Sequence, residues 1–147
     1  MTDQQLTIAA AEKVLGIQRW TEACDVGDEL FKPVYAEFTR GIIQIRQQRA
    51  RQTQDWTWVE FNPMEFDADA FMLVDAIKAQ RKAAFVLGSN GCADQWSAWL
   101  INGIWSLGRG QNDVPEYGDP HLFGAATADT RRRAIVLACL RAKGVEC

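Results

Sequence analysis

The chain has 147 residues, 48% of them apolar and 24% charged, a balance that excludes a disordered polymer and fits one domain over residues 1–147. A formal charge of −3 argues against nonspecific nucleic-acid binding, which needs a surplus of Lys and Arg facing phosphate. The four cysteines (Cys24, Cys92, Cys139, Cys147) form no CxxC pair and there is one histidine, so neither a zinc site nor a disulfide scaffold is expected, and no metal or cofactor with them.

A first helix is expected from about Asp3 to Leu15, where Leu6, Ala10 and Val14 recur every four residues and Gly16 supplies a stop. Ile17 to Pro33 is irregular, with Trp20, Leu30 and Phe31 available to cover part of a core. From Tyr35 the chain reads either as a helix to about Arg51 or, with Gly41 interrupting it, as a short strand over Ile42 to Arg46, the preferred reading. RQQRARQTQ is polar and reads as a solvated turn or a helix end. DWTWVEF then alternates as a strand with Trp56 and Trp58 on one face, where both would fit beneath a helix.

A second helix follows from about Asp67 to Ala79, its stripe made by Ala70, Leu73, Val74 and Ile77. Asp67 and Asp69 suit the positive end of its dipole, and Arg81 and Lys82 the negative end. Strands are expected over Ala83 to Leu87 and Trp96 to Ile101, with a turn at Gly88 to Gly91 between them. Asn102-Gly103 is a two-residue hairpin signal, and Ile104 to Leu107 would return as the third strand of a meander. Gly108 to Ala126 reads as a long polar loop inserted before the last helix. That helix should begin near Thr127 or Asp129, and its unbroken apolar run from Ala134 to Leu140 implies cover on more than one side. The expected fold is α+β, a layered α-β-α sandwich with about three helices and a small, mainly antiparallel sheet. MTDQQLTIAA lacks the basic and apolar blocks of a secretory leader, and no run approaches the roughly 18 apolar residues of a membrane span, so a cytoplasmic protein without a membrane partner is expected.

Three segments in order, AEKVLGI (Ala11 to Ile17), NPMEFDADAF (Asn62 to Phe71) and RRAIVLACLRAKGVE (Arg132 to Glu146), resemble the phage ABA sandwich domain, a family of small phage and prophage proteins. The likeness leaves out Glu22 to Gln54 and the Gly108 loop. It departs from the family at Met64, Glu65 and Phe66, which stand where Ser-Thr-Asp would cap the second helix. It implies the α-β-α layering and a phage or prophage origin, and carries over no catalytic residue.

Chemistry-bearing residues are few. His121, near Asp113, Glu116 and Asp119, suits either acid–base work or a plain surface loop, and Cys92 either a nucleophile or an inert turn thiol. Arg109, between Gly108 and Gly110, presents a forked donor that would grip a carboxylate or phosphate; Tyr117 lies in the same loop. Arg131, Arg132 and Arg133 stand at the unfavourable end of the last helix, so Asp129, Glu116 or an anionic ligand should offset them. Trp96, Trp99 and Trp105 would furnish an aromatic surface, and the opposite parity of Trp96 and Trp99 sends one of them to each face of a flat strand. The leading expectation is a noncatalytic phage or prophage accessory protein binding a host or phage macromolecule, a protein rather than nucleic acid. A module sequestering a small nucleotide-like anion to counter host defence is the alternative, and a small enzyme using His121 or Cys92 a second one. Self-association is also open.

Overall fold

The computed structural model of the protein describes residues 1–27, 32–48, 56–89, 95–102 and 122–146. Helix α1 (Asp3–Ala9) continues through a π-helical stretch, Ala10–Val14. Thr2 and Gln5 cap it reciprocally, each side chain accepting from the other's backbone N–H. Leu6, Ala10 and Val14 are buried on the expected stripe, and Gly16, at φ +70, turns the chain out of the helix.

The strands divide into two sheets. In the first, β1 (Gln18–Arg19) runs parallel to β2 (Val34–Glu37), and β3 (Ile43–Gln48) and β4 (Trp56–Glu60) continue antiparallel in the order β1-β2-β3-β4. The strand reading around Ile42 to Arg46 therefore holds, and two residues of the polar run, Gln47 and Gln48, extend it. In the second sheet β5 (Ala83–Ser89), β6 (Trp96–Asn102) and β7 (Leu122–Ala128) pair antiparallel in chain order. Helix α2 (Asp67–Gln80) precedes β5, and α3 (Arg131–Ala142) follows β7.

Two expectations are corrected here. The neighbour β6 takes opposite β5 is Leu122–Ala128, so the end of the supposed polar loop, Leu122 to Ala126, is strand. A strand has two edges, and those of β6 are filled by β5 and β7; Asn102 ends β6, while Gly103 and the strand expected over Ile104 to Leu107 lie outside the described residues. Strand β7 also moves the start of α3: its N-cap is Thr130, which accepts from Arg133 N, while Thr127 is inside β7. Finally, α2 has no side-chain cap, as the missing Ser-Thr-Asp suggests. Its entry is held by Asn62, whose N–H donates to Asp69 and whose side-chain oxygen accepts from Met64 N.

One hydrophobic core joins the elements. Ala134, Ile135, Val136, Ala138, Cys139 and Leu140 of α3 are all fully buried, because α3 packs on β6 and β7, on α2 and on the first helix at once. The first helix in turn meets β1 and β3 of the other sheet, where Tyr35, Ile43 and Ile45 face the core. Among the described residues this is an α+β fold with three helices and two mostly antiparallel sheets.

Candidate functional site

The face of the four-stranded sheet turned away from the helices is built by register. Tyr35, Ile43 and Ile45 point into the core. Val34 and Arg46, the chain neighbours of Tyr35 and Ile45, and Trp58, which pairs with Arg46, sit side by side across β2, β3 and β4 and therefore point outward. Trp56 shares that side with Trp58, so the two rings lie on the face opposite the helices and not beneath one. What they hold is Arg46. Its guanidinium carbon sits 4.4 Å from the Trp56 ring centroid and 6.0 Å from that of Trp58, with cation–π geometry to both.

Arg46 is only 4% exposed, so its charge has to be met inside the protein. The turn Glu22–Asp25 crosses the face and supplies the counter-charge: Arg46 Nη1 donates to Asp25 Oδ1 at 2.5 Å and Nη2 to the Cys24 carbonyl at 3.4 Å. The Arg46 hydrogen bond holds the Asp25 carboxyl below the usual carboxylate range. Two donors in this nest, Arg46 Nε and Trp56 Nε1, are buried without a hydrogen-bond partner among the described residues. Cys24, itself buried, has Sγ within reach of Gln18 Nε2 at 3.1 Å and Thr21 N at 3.4 Å. The Thr21 hydroxyl first, and these donors and Arg46 after it, outweigh burial and draw the thiol below its ordinary range.

Exposed rings frame the nest. The Trp20 indole reaches Asp25 Oδ1 at 3.5 Å and is 37% exposed; Phe38, 41% exposed, stands edge-on to Trp58 with centroids 5.1 Å apart. Val26 beside Asp25 is more exposed still. Sequence reasoning missed Asp25 and Phe38, and offers Arg46 only as one of a local basic cluster with Arg49 and Arg51. A usable signal existed: in IIQIR the arginine alternates with buried isoleucines and precedes a W-x-W strand, so a hairpin would bring cation and rings to one face.

Of the residues singled out from the sequence, the described ones fall elsewhere. Trp96 packs against the core on the helix face of β6, whereas Trp99 lies on the other face over Gly88, as their parity requires. Arg131 donates through Nε and Nη2 to Asp67, Arg132 through Nη1 to Asp67 and through Nε to the Met64 carbonyl, and Arg133 to Asp3. Among the described residues the carboxylates that offset the triplet are Asp67 and Asp3, from the starts of the other two helices, rather than Asp129; Glu116 lies outside the described residues. Cys92, Trp105, Arg109, Tyr117 and His121 lie outside the described residues.

A cleft of about 180 Å³ opens between α1 and the turn Thr39–Gly41, with Asp3, Arg40, Glu60 and Asn62 on its walls. Ordinary small-molecule pockets begin at roughly 300 Å³. Among the described residues no group of three His, Cys, Asp or Glu side chains is placed to hold a metal ion, and no helix is long and apolar enough to cross a membrane. No family model, no curated protein and no solved structure matches the chain.

Proposed function

We propose that the chain is a noncatalytic phage or prophage accessory protein that acts by binding a host or phage protein through the outer face of the β1–β4 sheet. The observation that carries this reading is the aromatic frame of Trp20, Phe38, Trp56 and Trp58 around Arg46. Trp and Arg are the residue types that dominate binding hot spots, because each brings large contact area with few rotatable bonds or a rigid donor fork. Asp25 already neutralises Arg46, and the chain as a whole is acidic, so the face favours a protein over a polyanion. The phage or prophage origin rests on the ordered likeness of the three segments quoted above.

Capture from host lysate on immobilised protein tests the reading when run beside the double variant Trp20→Ala/Phe38→Ala, whose two sites are exposed enough to leave the fold intact. A species retained by the native chain and lost by the variant is expected. Retention of nothing, or equal retention by both, overturns the proposal.

One observation favours a second reading, a small anion. Arg46 Nε and Trp56 Nε1 are both donors, and among the described residues neither has a partner, which is what an acceptor ligand would require. A thermal-shift panel of nucleotides discriminates, since a ligand at 100 times its Kd adds about 2.7 kcal/mol. Absence of a shift with every nucleotide removes this reading and leaves the first standing.

A further inference from the structure

The two sheets treat their edges differently. In the four-stranded sheet β1 has only two residues, and β4 ends in exposed Glu60. In the three-stranded sheet the β7 edge is occupied by Arg141, whose Nη1 donates to the Ala125 carbonyl at 2.8 Å. Strand β5 has none of these devices. It is seven residues long, AAFVLGS, without charge or proline, and among the described residues it is paired along one edge only. An edge of that length and composition offers a row of backbone donors and acceptors to another strand.

We infer that β5 is a self-association edge, at which a second copy of this chain adds antiparallel about a two-fold axis and joins two three-stranded sheets into one of six strands. The strand is self-complementary for that arrangement. Centred on Val86, antiparallel pairing sets Ala83 against Ser89 of the second copy, Ala84 against Gly88, Phe85 against Leu87, and Val86 against itself, so all seven residues are used. Phe85 and Leu87 both pack toward the helices, which makes their pairing an aromatic–aliphatic contact on one face. Charge placement selects the direction. Arg81 and Lys82 stand just before β5 and nothing charged lies within it, so an antiparallel partner keeps the cations of the two copies apart while a parallel one would align them. Beside the edge, Phe71 of α2 is 41% exposed and meets Phe85 edge-on at 6.0 Å, with Met72 next to it also exposed. These side chains extend the apolar strip past the backbone, which a seven-residue ladder alone would leave narrow.

Light scattering on the full chain across low to high micromolar concentrations is the direct test, paired with hydrogen exchange of the β5 amides. The mass should rise from 16.5 kDa toward twice that value, and β5 amides facing the free edge should gain protection in step. Val86→Lys places two cations opposite each other at the axis and should keep the protein monomeric. Because Val86 is partly buried opposite Trp99, Phe71→Ser serves as the second variant: it lies off the strand at an exposed site and should raise the dissociation constant at least tenfold. A native chain that stays monomeric throughout overturns the inference. So does a dimer that both variants leave intact, or β5 protection gained only with a different protein's strand.

Discussion

Gly124 of β7 and Ala138 of α3 meet backbone to backbone: a Cβ built on Gly124 would lie 2.5 Å from the Ala138 carbonyl oxygen and 2.8 Å from Ala142 Cβ. Neither obstacle is the flexible end of a side chain, so the helix or the strand would have to move. Gly124→Ala should therefore destabilise by about 1–3 kcal/mol, the usual range for overpacking, although alanine suits a helix–sheet interface elsewhere in the same strand. Urea unfolding measures it. A loss below about 0.5 kcal/mol would mean that α3 slides along β7 without resistance.

That contact also explains what was hidden in the sequence. Glycine and small residues in LFGAATA read as a loop because strand propensity favours branched and aromatic side chains. The same small residues are what allow α3 to lie close on β7. The helices, by contrast, were legible because Leu73, Val74 and Ile77 keep the helical period whatever covers them, and because the unbroken apolar run from Ala134 to Leu140 is long enough for a helix covered on several sides. The candidate face was half legible. The W-x-W alternation put Trp56 and Trp58 on one side, but which side looked outward depended on β2 and β3 presenting Tyr35, Ile43 and Ile45 to the core. No local pattern carries that choice. Arg131 to Arg133 could be seen to need carboxylates, yet Asp67 and Asp3 are 64 and 130 residues away in the chain.

Arg46 separates recognition from stability. Arg46→Ala should empty the space between the two rings and cost about 2–5 kcal/mol, as other large-to-small core changes do. Arg46→Met keeps a stem of similar length. It forfeits cation–π attraction of about 0.5–2 kcal/mol but also removes an unpaired buried donor that costs roughly 1–3 kcal/mol. Asp25, nearly half exposed, can return to water. The methionine variant should thus unfold within about 1 kcal/mol of the native chain by denaturant titration, while losing whatever partner the face retains. A large loss of stability in Arg46→Met would assign the arginine a structural task instead.

Asp67 ties two helix starts together, and its pairing has a signed pH dependence. Arg131, then Arg132, hold its carboxyl below the ordinary range, so the folded state binds that proton more weakly than the unfolded chain. The stabilisation is complete above the usual carboxylate value of about 4 and fades as pH falls through the lowered one. Asp67→Asn should lower Tm at neutral pH, and the gap between variant and native should close on acidification. Both partners are more than two-fifths exposed, so added salt should narrow the neutral-pH gap as well. A gap independent of pH would show that Asp67 acts through shape alone. Asp25 contributes with the same sign, which is why the difference between the two proteins, not the native curve, is the quantity to read.

Tyr35 should contribute to the alkaline limb. Its ring is 1% exposed in the core, and its hydroxyl donates to the Glu12 carboxylate of the first helix, joining that helix to β2. Burial first, and the hydrogen bond to Glu12 with its negative charge after it, push the phenol up to about 12. The unfolded chain ionises near 10, so the neutral phenol favours the folded state; its contribution is whole below about 10 and disappears as pH climbs toward the folded value. Cys139, which burial likewise pushes up to about 12, adds a loss of the same sign. Tyr35→Phe should isolate the tyrosine. It keeps the packed ring and gives up one hydrogen bond, costing about 0.5–1.5 kcal/mol at neutral pH, while Glu12 at the surface remains hydrated. Above pH 10 the variant should lose Tm more slowly than the native chain, because one fewer group ionises on unfolding. Parallel alkaline limbs in the two proteins would mean that Tyr35 is not held neutral by the fold, and that the tie between the first helix and β2 is made by packing alone.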